Sequence, residues 1–477
     1  MKKEQNILIT FSPILLLITL LCFNIFFFEN TMNGPNQIAL LMASLYASSI
    51  AFFKKTSLKK LKKGIYDSIK SSINAITILL IIGGLTSTWI LSGIVPAMIY
   101  YGTELINPRF FLVTTCIICA IVSLSTGSSW TTAATIGIAL VGIGELLSIN
   151  TGMVAGAIIS GSYFGDKMSP LSETTNLAPS VAGSDLINHI KYMTYTTIPA
   201  IILTLIILFF IGIASPTETI VLDKVNAFLT SINTHFYIGV ELFLLPLIIV
   251  VLIYARVPAV TTLSIGLFSG VIFACIFQKE LIYSINETTN NNSIETITHT
   301  IFSGTNIITD NNDLNELLSK NGVLGMLWII LLVVSAMTFG GVMHAGGFLK
   351  RITSLLISKT SSNATIIQST AGSCIFFNIS TCDQYLAIVI PGRMFKEVYE
   401  EHNLDPTNLS RTIEDSGTVT SVLVPWNSCA AYHAEMLAIQ PITYLPFCFF
   451  NILSPIMTLL FAYFNIYIKK LQRNEKK

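Results

Sequence analysis

Two polar stretches interrupt an otherwise apolar chain, and their residue types suit the binding of a small cation. GDKMSPLSETTN (165–176) places Asp166, Lys167 and Glu173 beside the helix breakers Gly165 and Pro170. A charge at the centre of a membrane-spanning helix costs about 2.5–3.5 kcal/mol on insertion scales, so these side chains are expected to face protein or water. A backbone broken at membrane depth is tolerated only beside a polar cavity. The carbonyls it frees, with Asp carboxylates and Ser or Thr hydroxyls, are hard oxygen donors that can replace the water around Na+.

The second stretch repeats the inventory. Asn378, Ser380, Thr381 and Asp383 come first; Glu414, Asp415, Ser416, Thr418 and Thr420 then lead to Trp426, Asn427 and Ser428. Asp166 and Asp383 are the expected Na+ and proton ligands, facing each other across the site. The supporting set is Asp415, Ser169, Thr174, Asn176, Thr381, Thr418 and Asn427. Carboxylates gathered in a poorly solvated site repel, so a proton and a metal ion compete for the same oxygens, and that competition is itself an exchange mechanism.

Some residues have two readings. Lys167, Glu173 and Glu414 are charge-tuning groups on the functional reading. On the structural one, Lys167 forms an ion pair, while Glu173, Glu414 and Asp415 cap helix ends in a wet vestibule. His344 and His433 each stand alone and read as core histidines. STGSS (125–129) and SGTVTS (416–421) either line the site or serve as close helix-packing surfaces. CIIC (116–119) has no evident partners for a metal site, and the eight Cys read as small buried apolar residues.

The elements that must position these groups are membrane helices. The 477 residues are 52% hydrophobic and 11% charged, against roughly 25% charged in a soluble domain. The expectation is an all-α polytopic membrane protein with spans near 6–28, 36–53, 72–94, 152–178, 195–214, 235–254, 258–277, 323–340, 411–436 and 440–466. The first run follows Lys2 and Lys3, is too long for a signal-peptide core and has no small-residue cleavage site, so it reads as a retained helix. The clusters KKTSLKKLKK (54–63) and KKLQRNEKK (469–477), with Lys191, Arg256, Lys350 and Arg351, fall on one side of this count. By the positive-inside rule that side is the cytoplasm, with both termini there and the Asn-rich loop at 286–296 outside. The expected location is the cell (inner) membrane.

Segments 110–147 and 363–399 each place a polar tip between two short apolar arms and read as re-entrant hairpins. Their tips carry Thr126, Ser128 and Ser129 in the first and Asn378 in the second. Each hairpin precedes a broken span, and the spacing recurs, from Thr126 to Pro170 and from Thr381 to Pro425, 44 residues in both cases. In this count the first hairpin enters from outside and the second from the cytoplasm, which predicts two inverted repeats. The divisions are an N-terminal helix (1–35), a first transporter repeat (36–214), connecting helices that begin the second repeat (215–277), an extracytoplasmic polar loop (278–322) and the rest of the second repeat (323–477).

STGSSWTTAATIG (125–137), GSYFGDKMSPLSETTNLAPSVAG (161–183) and DQYLAIVIPGRMFKEVYEEHNLDPTNLSRTIEDSGTVTSVLVPWNSCAAY (383–432) resemble the NhaC-type Na+/H+ antiporter family. The resemblance implies secondary antiport of cytoplasmic Na+ against entering H+, on a fold similar to the ion-transporter superfamily of inverted repeats. It carries the ion pathway onto Asp166, Ser169, Thr174, Asn176, Asp383, Asp415, Thr418 and Asn427. Some close relatives look like organic-acid exchangers that couple malate or a 2-hydroxy acid to Na+ and H+. In that alternative a small carboxylate is a further substrate, and Lys167 or Arg393 could neutralise it, as could broken-helix N-termini. Membrane lipid is the surrounding partner, and a homo-oligomer is compatible with the chain; no cofactor, enzyme activity or nucleic acid is expected. An intramembrane aspartyl protease would need Gly where Tyr163 stands, and a continuous channel suits inverted broken helices less well than alternating access.

Overall fold

The computed structural model describes the chain except residues 1–6, 29, 30, 32, 106, 215–221, 256, 290, 291, 306, 312, 313, 316, 317, 320, 321, 350, 353–361 and 472–477. Lys2, Lys3, Arg256, Lys350 and the end of the C-terminal basic cluster, used above to orient the chain, lie outside the described residues. The secondary-structure elements among the described residues are all helices, joined by turns and short loops, with an isolated bridge between Leu404 and Lys470. Among the described residues six helices are long and apolar enough to cross a membrane, or up to nine if each of three bent helix pairs is one span, so this is a multi-pass membrane protein.

Apolar α1 (Ile7–Phe27) and α2 (Pro35–Phe53) pair through Asn24, whose Nδ2 donates to Asn36 Oδ1 at 3.1 Å. The basic cluster after them forms part of α3 (Leu58–Ser71), an amphipathic helix capped by Ser57. Its lysines Lys59, Lys60, Lys62 and Lys63 are exposed while Leu61 is buried. The span expected near 72–94 is α4 (Ile73–Leu91), continued by α5 (Ile94–Leu105) at a 64° bend.

The first hairpin follows. Its outgoing arm is α6 (Phe111–Thr126). Its return arm is α7 (Ser129–Thr132), a π-turn (Ala133–Gly137) and α8 (Ile138–Leu146), and Gly144 comes back beside the Phe111 ring. Next α9 (Thr151–Met168) runs alongside α6 in the same direction. A Cβ on Gly161 would stand 2.1 Å from the Cys116 carbonyl oxygen, and one on Gly165 would stand 2.4 Å from that of Ala120. Glycine is required there because the two backbones touch. The span expected at 152–178 breaks at Ser169–Ser172, and α10 (Glu173–Ala182) begins beyond the gap.

The 29-residue α11 (Leu186–Ala214), α12 (Leu222–His235), α13 (Leu244–Tyr254) and α14 (Ala259–Phe277) connect the halves, with an 85° bend between Asn226–His235 and Val240–Leu252. The segment 278–322, read from its polarity as a loop, contains two short helices, α15 (Lys279–Thr289) and α16 (Ser293–Ser303). The second starts at a capping box of Asn292 and Glu295. After α17 (Gly322–Ala345) comes the second hairpin, α18 (Asn363–Thr381) and α19 (Gln384–Glu401). The broken span at 411–436 resolves into α20 (Pro406–Ile413), a π-turn (Glu414–Thr418), a 3-10 turn (Ser421–Leu423) and α21 (Ser428–Leu437). The chain closes with α22 (Pro441–Tyr444) and α23 (Phe449–Tyr463), and the helical stretch containing them is bent by 53°.

The order hairpin, tip, broken helix occurs twice, and local backbone chemistry repeats with it at a spacing of 255 residues. Gly127 and Cys382 both end an arm in the left-handed conformation, at φ 67° and 57°. Ser128 and Asp383 both cap the next arm, and Ser172 and Asn427 both cap the helix after the break. The broken helices pass each other in opposite chain directions, because Tyr163 meets Ser421 at 3.4 Å and Lys167 meets Asp415.

Candidate functional site

Each hairpin tip docks on the broken helix of its own half. In the first, the Ser129 backbone N–H donates to Asp166 Oδ2 at 3.0 Å and the Ser129 hydroxyl donates to the same oxygen at 2.7 Å. Residues 255 positions later, Gln384 and Ser421, make the matching contact, with the Ser421 hydroxyl donating to Gln384 Oε1 at 3.2 Å. The repeat register therefore pairs Asp166 with Ser421 and Asp383 with Ser128. The two carboxylates are not each other's counterparts: one stands on a broken helix and the other caps a hairpin arm, where Asp383 Oδ1 accepts from Leu386 N at 2.8 Å.

Both still reach one cavity of about 370 Å³. It is lined by Asp166, Glu173 and Asp383, by Thr126, Ser128 and Ser129 of the first tip, by Thr174, and by Gln384 and Tyr385 of the second. The start of α14, with Val257, Pro258 and Thr262, forms another wall. Among the described lining residues three are acidic and none is Lys, Arg or His. The halves meet across the cavity: the Tyr385 hydroxyl donates to Glu173 Oε2 at 2.5 Å, the Tyr432 hydroxyl donates to the Trp130 carbonyl at 2.8 Å, and those two rings stack at 4.2 Å.

The other expected site residues form two further groups. One supports the breaks. Asn176 Nδ2 donates to the carbonyls of Pro170 (2.8 Å) and Ser172 (2.7 Å), and the Ser169 hydroxyl accepts from Leu171 N at 3.2 Å. In the second half Asn378 Nδ2 donates to the Gly417 carbonyl at 2.7 Å, while Asn427 Nδ2 donates to Asn378 Oδ1 at 3.2 Å. Thr381 closes the last turn of α18 on the Phe377 carbonyl at 2.8 Å. These amides satisfy backbone groups that the breaks expose, as buried backbone requires.

The last group is fully buried. Lys167 pairs with Asp415 and also donates to Ser454 Oγ at 3.1 Å. Asp415 accepts from Thr196 at 2.8 Å and from Thr458. Glu414 and Thr418 share the π-turn with Asp415. Arg393 is exposed on α19, and neither it nor Lys167 lines the cavity. Gln384, Tyr385, Trp130 and Ser172 are site residues that sequence reasoning missed. The two after Asp383 adjoin a residue singled out, but the roles of Trp130 and Ser172 depend on contacts and capping.

Three carboxylates in one cavity, beside oxygen-rich tips, suit a cation and a proton that compete for one space. A model of the Na+/H+ antiporter family matches residues 161–466, a span that contains the break of the first broken helix, all of the second broken helix and the second tip. The chain belongs to that family. It is therefore a transporter, and the family's transported ions are Na+ and H+. Over 472 residues it is 36% identical to the Na+/H+ antiporter NhaC of Alkalihalophilus pseudofirmus, covering 99% of this chain and 98% of that one. It is 34% identical to the malate-2H+/Na+-lactate antiporter of Bacillus subtilis over 444 residues, 93% and 92% of the two chains. The arginine/ornithine antiporter ArcD of Halobacterium salinarum is 36% identical over 403 residues, 84% and 80% of the two chains.

Proposed function

We propose that this protein exchanges cytoplasmic Na+ for external H+ across the cell membrane by alternating access, with Asp166 and Asp383 as the groups for which the two ions compete. The observation that carries this reading is an acidic cavity in which both hairpin tips meet. The antiparallel passage of the broken helices and the 255-residue recurrence of tip contacts support halves that are inverted repeats, with both termini on the cytoplasmic side. The cavity-lining hydroxyls of Thr126, Ser128 and Thr174 complete the ion's oxygen shell. Asn176, Asn378, Thr381 and Asn427 hold the breaks open, and Lys167 with Asp415 is a structural pair.

A second reading, Na+- and H+-coupled exchange of a small carboxylate, is favoured by the similarity to the malate-2H+/Na+-lactate antiporter. The three acids that line the cavity weigh against it, because a carboxylate entering beside Asp166, Glu173 and Asp383 would need its cations to arrive with it. In everted vesicles or proteoliposomes, Na+ should dissipate an imposed pH gradient, and Asp166→Asn or Asp383→Asn should abolish the response while the protein still inserts. Full Na+ response in both variants would overturn the site. Uptake of radiolabelled malate or lactate would move the conclusion to the second reading.

A further inference from the structure

Helix α3 and the turn before it carry charge that the exchange described above does not use. Residues 54–70 hold seven lysines and one acid, Asp67. Lys59, Lys60, Lys62 and Lys63 are exposed, and none forms an ion pair among the described residues. At about 100° per residue these four cover an arc of about 160°, opposite Leu61 and Ser68, and Tyr66 and Lys70 fall within it. Lys59 and Lys63 are like charges one turn apart, which destabilises a helix in water. An anionic partner reverses the sign of that interaction.

Packing fixes the level of this face in the membrane. A Cβ on Gly64 would stand 2.6 Å from Ala345 Cβ and 2.8 Å from the Gly341 carbonyl oxygen, and Ser68 Oγ donates to Met337 Sδ at 3.6 Å. Further on, a Cβ on Gly83 of α4 would stand 2.6 Å from the Gly322 carbonyl oxygen. Helices α3 and α4 therefore run antiparallel to the spanning helix α17, and the lysines before Gly64 lie level with its Ala345 end. Lys54 Nζ is over the Phe348 ring just beyond, 5.2 Å from its centroid. Phe53 at the end of α2, Leu58 and Tyr66 are exposed among the lysines. Basic and apolar side chains interleaved where spans end match one environment, acyl chains on one side and phosphates on the other. A face made for water has no place for the apolar members, and one made for hydrocarbon alone excludes the lysines.

We propose that α3 is a docking site for anionic phospholipid headgroups, whose phosphates are held by Lys59, Lys60, Lys62 and Lys63. The apolar neighbours at the same level favour lipid over an acidic protein segment. Lipid held there fixes the end of the α4 and α17 pair, which supplies Ile78 and Val333 to the cavity wall, with Ser72 at the α3–α4 junction.

The test uses full-length protein in phosphatidylcholine bilayers containing spin-labelled lipid, where electron paramagnetic resonance reports the fraction held at the protein surface. Spin-labelled phosphatidylglycerol should be held over spin-labelled phosphatidylcholine by at least about fivefold, the worth of one lysine at an anionic surface. Raising KCl from about 0.1 M to about 1 M shortens the screening length from about 10 Å to about 3 Å and should remove most of that preference. K59Q/K60Q/K62Q/K63Q should bring the ratio close to one, and K59R/K60R/K62R/K63R should keep it. K59Q/K63Q, which removes only the repelling pair, should lower the ratio part-way and preserves the test if the quadruple variant does not fold. A ratio of one in the wild type, a wild-type ratio in either glutamine variant, or a preference insensitive to salt would each overturn the proposal. Displacement of the labelled lipid by inorganic phosphate at constant ionic strength would overturn it too, by giving the face to a free anion.

Discussion

Replacing Asp415 by Asn tests whether the Lys167–Asp415 pair is structural. Both residues are completely buried, and Asp415 accepts from Lys167, Thr196 and Thr458. With Asn there, Lys167 keeps one close partner, Ser454 Oγ at 3.1 Å, and the Phe450 ring at 5.7 Å. Breaking one side of a buried ion pair costs about 3–5 kcal/mol, because a charge is left without compensation. At 1.4 kcal/mol per tenfold, that is about two to three and a half powers of ten in the folding equilibrium. K167M should fall at the lower end, since two hydroxyls still donate to Asp415. Replacing both, as K167M/D415L, removes the charges together and should be close to neutral in stability. The assay is fluorescence-detected size exclusion of detergent extracts heated in steps, followed by Na+-dependent dequenching in vesicles. D415N should lose its monodisperse peak at much lower temperature than wild type, and K167M/D415L should regain both peak and transport. A folded double variant with no Na+ response would refute the structural assignment and return Asp415 to the ion path.

Three other outcomes follow from the same contacts. S129A removes the 2.7 Å hydroxyl donor to Asp166 but keeps the 3.0 Å backbone donor; the apparent Na+ affinity should change about tenfold, one charge-assisted bond's worth, and an unchanged half-saturation would contradict the role of that contact. G165A forces a Cβ to 2.4 Å from the Ala120 carbonyl and should lower thermal stability by about 1–3 kcal/mol, read in the same heated extracts. In the segment 278–322, Ser231 donates to Asp310 Oδ1 at 2.5 Å and thereby holds its carboxyl below the ordinary 3.8. Because the folded value is the lower one, this stabilisation is present above 3.8 and is lost as pH falls through the folded value. Pepsin nicking near Asp310 should be slower in wild type than in S231A at about pH 5, and the difference should shrink as pH falls below 3.8.

The breaks beside Pro170 and at Pro425–Ser428 were legible because helix-breaking and charged residues are costly inside membrane-length apolar runs and persist there only beside a polar cavity; Gly165, read as a breaker, lies inside α9 and serves close packing on α6 instead. The tips were legible for a similar reason, and the 44-residue spacing that marked them in sequence continues in the structure as paired caps. Partner choice was not legible. Nothing in the order of residues says that Lys167 takes Asp415, 248 positions away, rather than its neighbour Asp166. Nor does it say that Asp166 bonds to Ser129 across the hairpin. Composition alone also misread 278–322, where Asn292 and Glu295 are polar because they cap a helix. The π-turn at Glu414 depends on one extra residue per turn, which leaves no mark on apolar periodicity.

Contacts between the two halves differ in how easily they can be broken. Lys167–Asp415 is dry and charged, and parting it would strand two ions in a medium that cannot solvate them. Tyr385–Glu173 is a hydrogen bond to an exposed carboxylate, where water can take either partner's place at a net cost of about 1.5–3 kcal/mol. Thermal agitation is enough to open the second contact and not the first. Any rocking of the halves therefore has its fulcrum at the crossing of the broken helices and its widest travel at the tyrosine rim.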